Sequence, residues 1–499
     1  MRGVADLNAR TGVLAAASSL TSLYAPGCMT DAAGTHFDLV IIGGGPAGYA
    51  AALYAGSADL SVAMIERDRV GGTCLHRGCV PAKELLETAA VYRNVGHAAD
   101  FGVITEPPRL ELTTTQQRKQ AVVDQLTSGL EGLLKRRKVV TIEGTGRLDA
   151  DRSVTVELTE GGEQTVTGEV VLLAAGSVPR TLPGFDVDGR IVQTSDEVLN
   201  LAELPERAVV IGGGAIGCEF ASLLADFGSE VTILEALDRI VPGVDLDISK
   251  ALTRSFERRG ITVRTGVMVS GHTPGGDSGT TVHVDGGDDV ECDVVVMSIG
   301  RRPFPDLLAL DAAGVEVDER GFVKVDEHCR TTVDGVYALG DLIATPQLAH
   351  IGFAEAIMVV KDVLGEDPPP IDYGRVPWAI YCHPEVAFAG LTEEDARAAG
   401  LDVVVSKHRY TGNSRALIVG EPDGMVKIVA VKGPDGAAGQ IVGVHMMGPW
   451  VTEQLGQGYL AVNWEASVDD VAAFIQPHPT LSELFGESVL AMTGRSLHG

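Results

Sequence analysis

One local plan occurs twice in this chain. "FDLVIIGGGPAGYAAAL", from Phe37, runs from a short apolar β-like stretch into Gly43-x-Gly45-x-x-Gly48 and then an Ala-rich helical stretch. "RAVVIGGGAIGCEFASLLADFG", from Arg207, repeats it with Gly212-x-Gly214-x-x-Gly217. In such a unit the first glycine makes the tight turn. The second lets the backbone approach a pyrophosphate, and the third lets helix and strand pack closely. The helix N-terminus then faces the phosphates. Each unit is followed, about 20 residues on, by a strand ending in an acid that can bind ribose hydroxyls: Glu66 after "LSVAMI" and Glu235 after "EVTIL". A lone motif in a chain with 61 glycines would be an ordinary strand–helix turn. The repeated context predicts two dinucleotide sites. Glu235 would repel a ribose 2′-phosphate, and no arginine follows until Arg239. The second site is therefore expected to take NAD rather than NADP, with a solvated strand-end charge as the bland reading of Glu235.

With 499 residues, the chain has room for three or four domains at about 100–200 residues each. Its formal net charge of −29 opposes binding to nucleic acid or an anionic membrane. No apolar run approaches the roughly 20 residues needed to span a bilayer. Seven cysteines, mostly scattered, are too few for a secreted disulfide scaffold and point to a reducing, cytoplasmic setting.

Two of the seven stand close together in "GGTCLHRGCVP", Cys74 and Cys79. No second cysteine pair or histidine pair completes a tetrahedral metal site, so no metal is expected. Five positions along a straight helix rise about 7.5 Å, more than the roughly 4.4–6.8 Å that a disulfide allows between Cα atoms. The backbone must turn between the two, and Gly78 permits it. Pro81 suits the first turn of a helix over "PAKELLETAAVYRNV". That places Cys79 near a helix N-terminus, which favours a thiolate. A redox-active pair is the resulting reading, and two buried free thiols are the alternative.

"GGTCLHRGCVPAKELL" resembles the redox-active segment of class I pyridine nucleotide–disulfide oxidoreductases, among them the dihydrolipoyl dehydrogenases, glutathione reductases and mercuric reductases. The resemblance extends from about Phe37 to Glu483. "LLAAGSVPR", with Gly176, and "SIGRRP", with Gly300, look like the turns that close the family's two nucleotide segments. "TTVDGVYALGD" is similar to the second FAD fingerprint and supplies Gly340 and Asp341. "QLAH", with Ala349 and His350, looks like a flavin-contacting helix start, and "VPWAIYCHPEVAFAGLTEEDA" resembles the opening of the dimerisation domain. The resemblance implies FAD at the first site, with Thr73 and Lys83 beside it, and NAD at the second. It implies that Glu219 pairs with Lys83, and that Cys74 and Cys79 form a redox-active disulfide.

Near the C-terminus, "FIQPHPTLSELFGESVLAM" places His478 between two prolines, five residues before Glu483. Locally, Thr480-x-x-Glu483 reads as a capping box opening a helix. "HPTLSE" also resembles the family's catalytic histidine–glutamate motif, which implies that Glu483 orients His478 as a base. In the family this histidine comes from the partner subunit, implying a homodimer. One glutamate would have to serve both cap and histidine.

The expected fold is α/β, with two Rossmann-like dinucleotide-binding domains and an α+β dimerisation domain. Residues 1–35 read as a disordered extension, with a signal-like stretch and a start at Met29 as alternatives. Residues 36–186 read as the FAD domain, 187–310 as the NAD domain, 311–370 as a second FAD-contacting segment and 371–499 as the dimerisation domain. Within the family the dihydrolipoyl dehydrogenase branch fits. Its implied activity is oxidation of dihydrolipoamide with reduction of NAD, and its implied partner is the lipoyl-bearing acyltransferase of 2-oxo acid dehydrogenase complexes. Mycothiol and glutathione disulfide reductases are the alternative, and Glu235 counts against their NADPH. Mercuric reductases normally carry a C-terminal cysteine pair, whereas no cysteine follows Cys382 here. His76 and Arg77 depart from the family's commoner choices and leave substrate tuning open.

Overall fold

The computed structural model describes residues 35–275 and 279–498. The reading of the first 35 residues, with Cys28 and Met29, therefore lies outside the described residues except for Thr35. Among the described residues no helix is long and apolar enough to cross a membrane.

The first glycine unit forms the middle of a parallel sheet. Strand His36–Ile42 lies between Val62–Glu66 and Glu163–Leu173 and runs parallel to both. Val140–Leu148 extends the sheet on one side and Val336–Ala338 on the other. A strand covered on both faces must be apolar along its length, and Leu39, Val40 and Ile41 are fully buried. Helix Pro46–Ser57 follows the turn and packs on helix Ala349–Val363. Strand Val336–Ala338 and helix Ala349–Val363 come from beyond the second glycine unit, so the chain returns to complete its first sheet.

The second unit builds another parallel sheet, in the order Thr262–Thr265, Glu230–Glu235, Arg207–Ile211, Val294–Met297, Val192–Thr194. Both turns obey the same steric rule. Gly43 and Gly212 hold φ of 110° and 102°, a region open to glycine at little cost. A Cβ at Gly48 would fall 1.8 Å from the Gly43 carbonyl oxygen, and one at Gly217 would fall 1.9 Å from that of Gly212.

The C-terminal part is a five-stranded antiparallel sheet, ordered Trp378–Ile380, Glu385–Gly390, Ala438–Gly448, Met425–Lys432, Val403–Arg409. Helices Val451–Asn463 and Glu483–Ala491 pack against it. Ile380, Val386, Phe388 and Met447 share one core with Leu252 and Phe256 of the second unit. The amine of buried Lys427 joins the same two bodies, 2.8 Å from Asp245 and 2.6 Å from Asp247. Helix Cys79–Gly96 crosses from the first unit to pack on helix Ala215–Asp226 of the second. These contacts bring the cysteine segment, both glycine helices and the edge of the C-terminal sheet to one place.

Candidate active site

That place is a cavity of about 920 Å³, lined by Gly45, Cys74, Cys79, Lys83, Glu219 and Asp341 among others. Cys74 sits on the short helix Gly72–His76, and Cys79 is the first residue of helix Cys79–Gly96. The break at Arg77 and Gly78 turns the backbone as the spacing of the cysteines demands. The turn is tight, since a Cβ at Gly78 would lie 3.1 Å from the Thr73 carbonyl oxygen. The helix starts two residues before Pro81, so Cys79 takes the position whose amide and dipole favour a thiolate.

Both sulfurs are thiols in this structure, and their environments are opposed. The hydrogen bond between them drives the Cys74 thiol far up, and burial adds to this. The same bond lowers Cys79 to about 7, with the Lys83 charge helping against burial and against Glu219. Cys74 thus holds its proton while Cys79 ionises near neutrality.

Lys83 lies one turn along the same helix. Its Nζ donates to both Glu219 oxygens, at 2.9 Å each. Burial works against its charge, yet the Glu219 carboxylate holds its pKa above the ordinary value. Two contacts around this pair were not foreseen from sequence. The Tyr381 backbone N–H donates to Glu219 Oε1 at 2.9 Å, and its ring lies 4.7 Å from Lys83 Nζ, within cation–π range. The stretch "AIYCHPEVA" was visible, but nothing in its spacing points at a lysine three hundred residues earlier.

The glycine turns fit dinucleotides. Gly45 and Gly214 cap helices Pro46–Ser57 and Ala215–Asp226 with no side chain on the first amides and no acid in the first turn. Two rows of amide donors are thereby free for phosphate. Each acid at the end of the second strand holds its own turn. Glu66 Oε2 accepts from Gly44 N at 2.7 Å, and Glu235 Oε2 accepts from Gly213 N at 2.6 Å. Their other oxygens take the amides of Asp68 and Leu237. A carboxylate oxygen has two acceptor sites, so ribose hydroxyls can still be received. Arg239 is spent on Glu394 at 3.1 Å and on the Pro242 carbonyl, so the first arginine after Glu235 is already engaged.

The remaining expected residues fall into two groups. Thr73, Gly43, Gly176, Gly340, Ala349 and His350 line the same cavity as the cysteines. Gly48 and Gly217 shape their turns from behind, and Gly300 makes a positive-φ turn beside the paired strands Arg301–Pro303 and Ser177–Pro179. Asp341 accepts from Ser177 Oγ at 2.5 Å, and burial pushes its pKa up. Arg77 lines the cavity but reaches Asp68 at 2.6 Å. His76 turns away from it and bonds the Val70 carbonyl at 2.8 Å.

His478 and Glu483 do not line this cavity. His478 Nδ1 is 2.9 Å from Glu483 Oε2, with 63% of the histidine side chain exposed and only 14% of the glutamate. Thr480 Oγ accepts from Glu483 N at 3.2 Å, but the helix begins at Glu483 with Ser482 as its N-cap and no side-chain cap, so the expected capping box does not form. Glu483 turns to the imidazole and to Asn413 Nδ2, which donates at 3.4 Å. Buried Asn413 also donates to the Thr480 carbonyl at 2.9 Å. It ties the glutamate and its loop together, another partner that no local spacing announced. Exposed Phe474 and Ile475 precede the histidine.

Residues 37–356 match the sequence profile of the family described as pyridine nucleotide-disulphide oxidoreductase, and residues 376–489 match that family's dimerisation domain. A dihydrolipoyl dehydrogenase of Bacillus subtilis is 41% identical over 93% of this chain and 99% of its own length. A leghemoglobin reductase of Glycine max is 38% identical over 98% of this chain and 94% of its own. Among solved structures, LpdA of Mycobacterium tuberculosis superposes with a TM-score of 0.85 at 26% identity, covering 92% of this chain and 99% of that one.

Proposed function

This chain belongs to the pyridine nucleotide–disulphide oxidoreductase family, an enzyme family that uses FAD and NAD, and we propose that it oxidises dihydrolipoamide with NAD as acceptor. The observation that carries the proposal is the opposed cysteine pair beside Lys83–Glu219, in one cavity with an uncapped glycine turn. Relatives named dihydrolipoyl dehydrogenase from Bacillus subtilis and Zymomonas mobilis, aligned over nearly their whole length, support the substrate.

Gly43, Gly45, Gly48 and Glu66 would hold the pyrophosphate and ribose of FAD, with Lys83, Asp341, Ala349 and His350 toward its other end. Gly212, Gly214, Gly217, Glu235 and Gly300 would hold NAD. When bound, the flavin supplies the two-electron link between the cysteine pair and the nicotinamide. In this scheme residues 36–186 and 311–370 serve FAD, 187–310 NAD and 371–499 dimerisation.

Oxidation begins from the Cys74–Cys79 disulfide. His478 of the partner subunit, held by the partner's Glu483, takes a proton from one substrate thiol. The substrate thiolate attacks Cys74 Sγ, a mixed disulfide forms, and the Cys74–Cys79 bond breaks. Cys79 departs as a thiolate, which the Lys83 charge beside it stabilises as a leaving group. The second substrate thiol, deprotonated in turn, attacks the substrate sulfur of the mixed disulfide. It closes the lipoamide ring and releases Cys74, which takes up the proton given by that second thiol, while the first proton stays on the partner's His478. Two thiols become one disulfide in the substrate, and one disulfide becomes the Cys74 thiol and the Cys79 thiolate in the protein, with the other proton on the imidazole.

The partner in this reading is the lipoyl-bearing acyltransferase of a 2-oxo acid dehydrogenase complex, and the setting is a reducing cytoplasm. The test is steady-state reduction of NAD by dihydrolipoamide, beside NADP and beside glutathione and mycothiol disulfides with NADPH. Fast, NAD-selective turnover is expected, abolished in Cys74→Ser and Cys79→Ser. Preferential turnover of a low-molecular-weight disulfide with NADPH would replace this reading by the alternative.

A further inference from the structure

Glu355 is a fully buried acid with no part in the scheme above. It stands on helix Ala349–Val363, the helix that packs on the first glycine helix. Its Oε2 accepts from the Gly340 backbone N–H at 2.7 Å. Its Oε1 accepts from Thr345 Oγ at 2.8 Å and from the Tyr373 hydroxyl at 3.0 Å. Three donors, two from the loop before the helix and one from beyond it, converge on one carboxyl.

The pattern matches the two nucleotide turns. In each, a carboxyl from another element accepts a glycine N–H: Glu66 from Gly44, Glu235 from Gly213, Glu355 from Gly340. Gly340 holds φ of 69° and precedes Asp341, whose carboxyl faces the cavity and takes the Ser177 hydroxyl. We infer that Glu355 is a positioning residue that fixes the Gly340–Asp341 turn against the flavin. Its absence from any local motif explains why sequence did not announce it. Gly340 lies fifteen residues earlier, and Tyr373 lies on a different segment.

The inference rests on the reading that this cavity takes FAD. A substitution by leucine removes the acceptor and strands the Gly340 amide, whereas glutamine retains one oxygen that can face it. The two hydroxyls can then rotate to accept from the glutamine amine, which a backbone N–H cannot do. Purified holoenzyme is diluted, and FAD release is followed by its rising fluorescence, with the visible flavin bands recorded beforehand. Glu355→Leu should release FAD about tenfold faster or more and shift the bands. Glu355→Gln should release it within about threefold of wild type, with unshifted bands. If the leucine variant fails to fold, Thr345→Val with Tyr373→Phe leaves the carboxyl free to swing and should speed release severalfold. Release at the wild-type rate from the leucine variant, or from the double variant in its place, overturns the inference. So does failure of glutamine to rescue. Wild-type protein that carries no flavin would instead overturn the FAD reading itself.

Discussion

The division of labour between the two cysteines depends on a few groups within reach of one helix turn. Cys79 titrates near 7 because Cys74 donates to it and Lys83 stands close, both working against burial. In the reduced protein, alkylation by iodoacetamide should therefore rise with pH through about 7. Lys83→Met should move that midpoint up by about one unit. Cys74→Ala, which removes the donor, should move it up as well. A midpoint unchanged in both variants would leave the leaving-group role of Cys79 without support. The cysteines were legible because two of them stood close together among glycines, whereas Lys83 was marked only by the resemblance to the family. Tyr381, Asn413 and Glu355 were not legible. Their work is done by a ring face, a side-chain amide and a carboxyl that meet partners across the fold, and such contacts leave no periodicity.

At the scale of the element, the two strand–turn–helix units repeat to within a tenth of an ångström in their tightest contact. Gly217→Ala would push a methyl group into the Gly212 carbonyl oxygen, displacing the turn while the first unit stays intact. Flavin content should survive, and dihydrolipoamide should still reduce the flavin. Reduction by NADH should require at least about tenfold more nucleotide, measured by stopped-flow absorbance. Equal loss of both half-reactions would mean that the damage is not confined to the nucleotide turn. The apolar strands and the glycine turns were plain from sequence, because strand burial and close backbone approach restrict residue type directly. The helix holding Glu483 was anticipated with a capping box, and it starts at Glu483 without a side-chain cap. A carboxylate can satisfy either an amide or an imidazole, and tertiary geometry chose the imidazole.

At the scale of the whole molecule, the sulfur site and the proton site of one chain are apart, since His478 and Glu483 do not border the cavity that holds the cysteines. The chain carries the family's dimerisation domain, and the proposed chemistry requires a partner's histidine at each cavity. Co-expressed Cys79→Ser and His478→Gln chains should each be inactive as homodimers. Their purified heterodimer should recover about half of wild-type turnover, one of two symmetric sites being intact. Inactivity of that heterodimer would place the acid–base pair elsewhere. The order of the units along the chain could be read in advance, whereas their mutual placement depended on long-range contacts that sequence does not encode locally. Glu219 shows what that placement entails. It belongs to the nucleotide helix, yet it is gripped by an ammonium from the first unit and an amide from the C-terminal part. To swing the nicotinamide unit outward as a rigid body would sever these bonds together and abandon a largely enclosed charge, a cost of several kcal/mol. A hinge opening of that unit is therefore disfavoured, and the frame around Glu219 is expected to stay in place as nucleotide comes and goes.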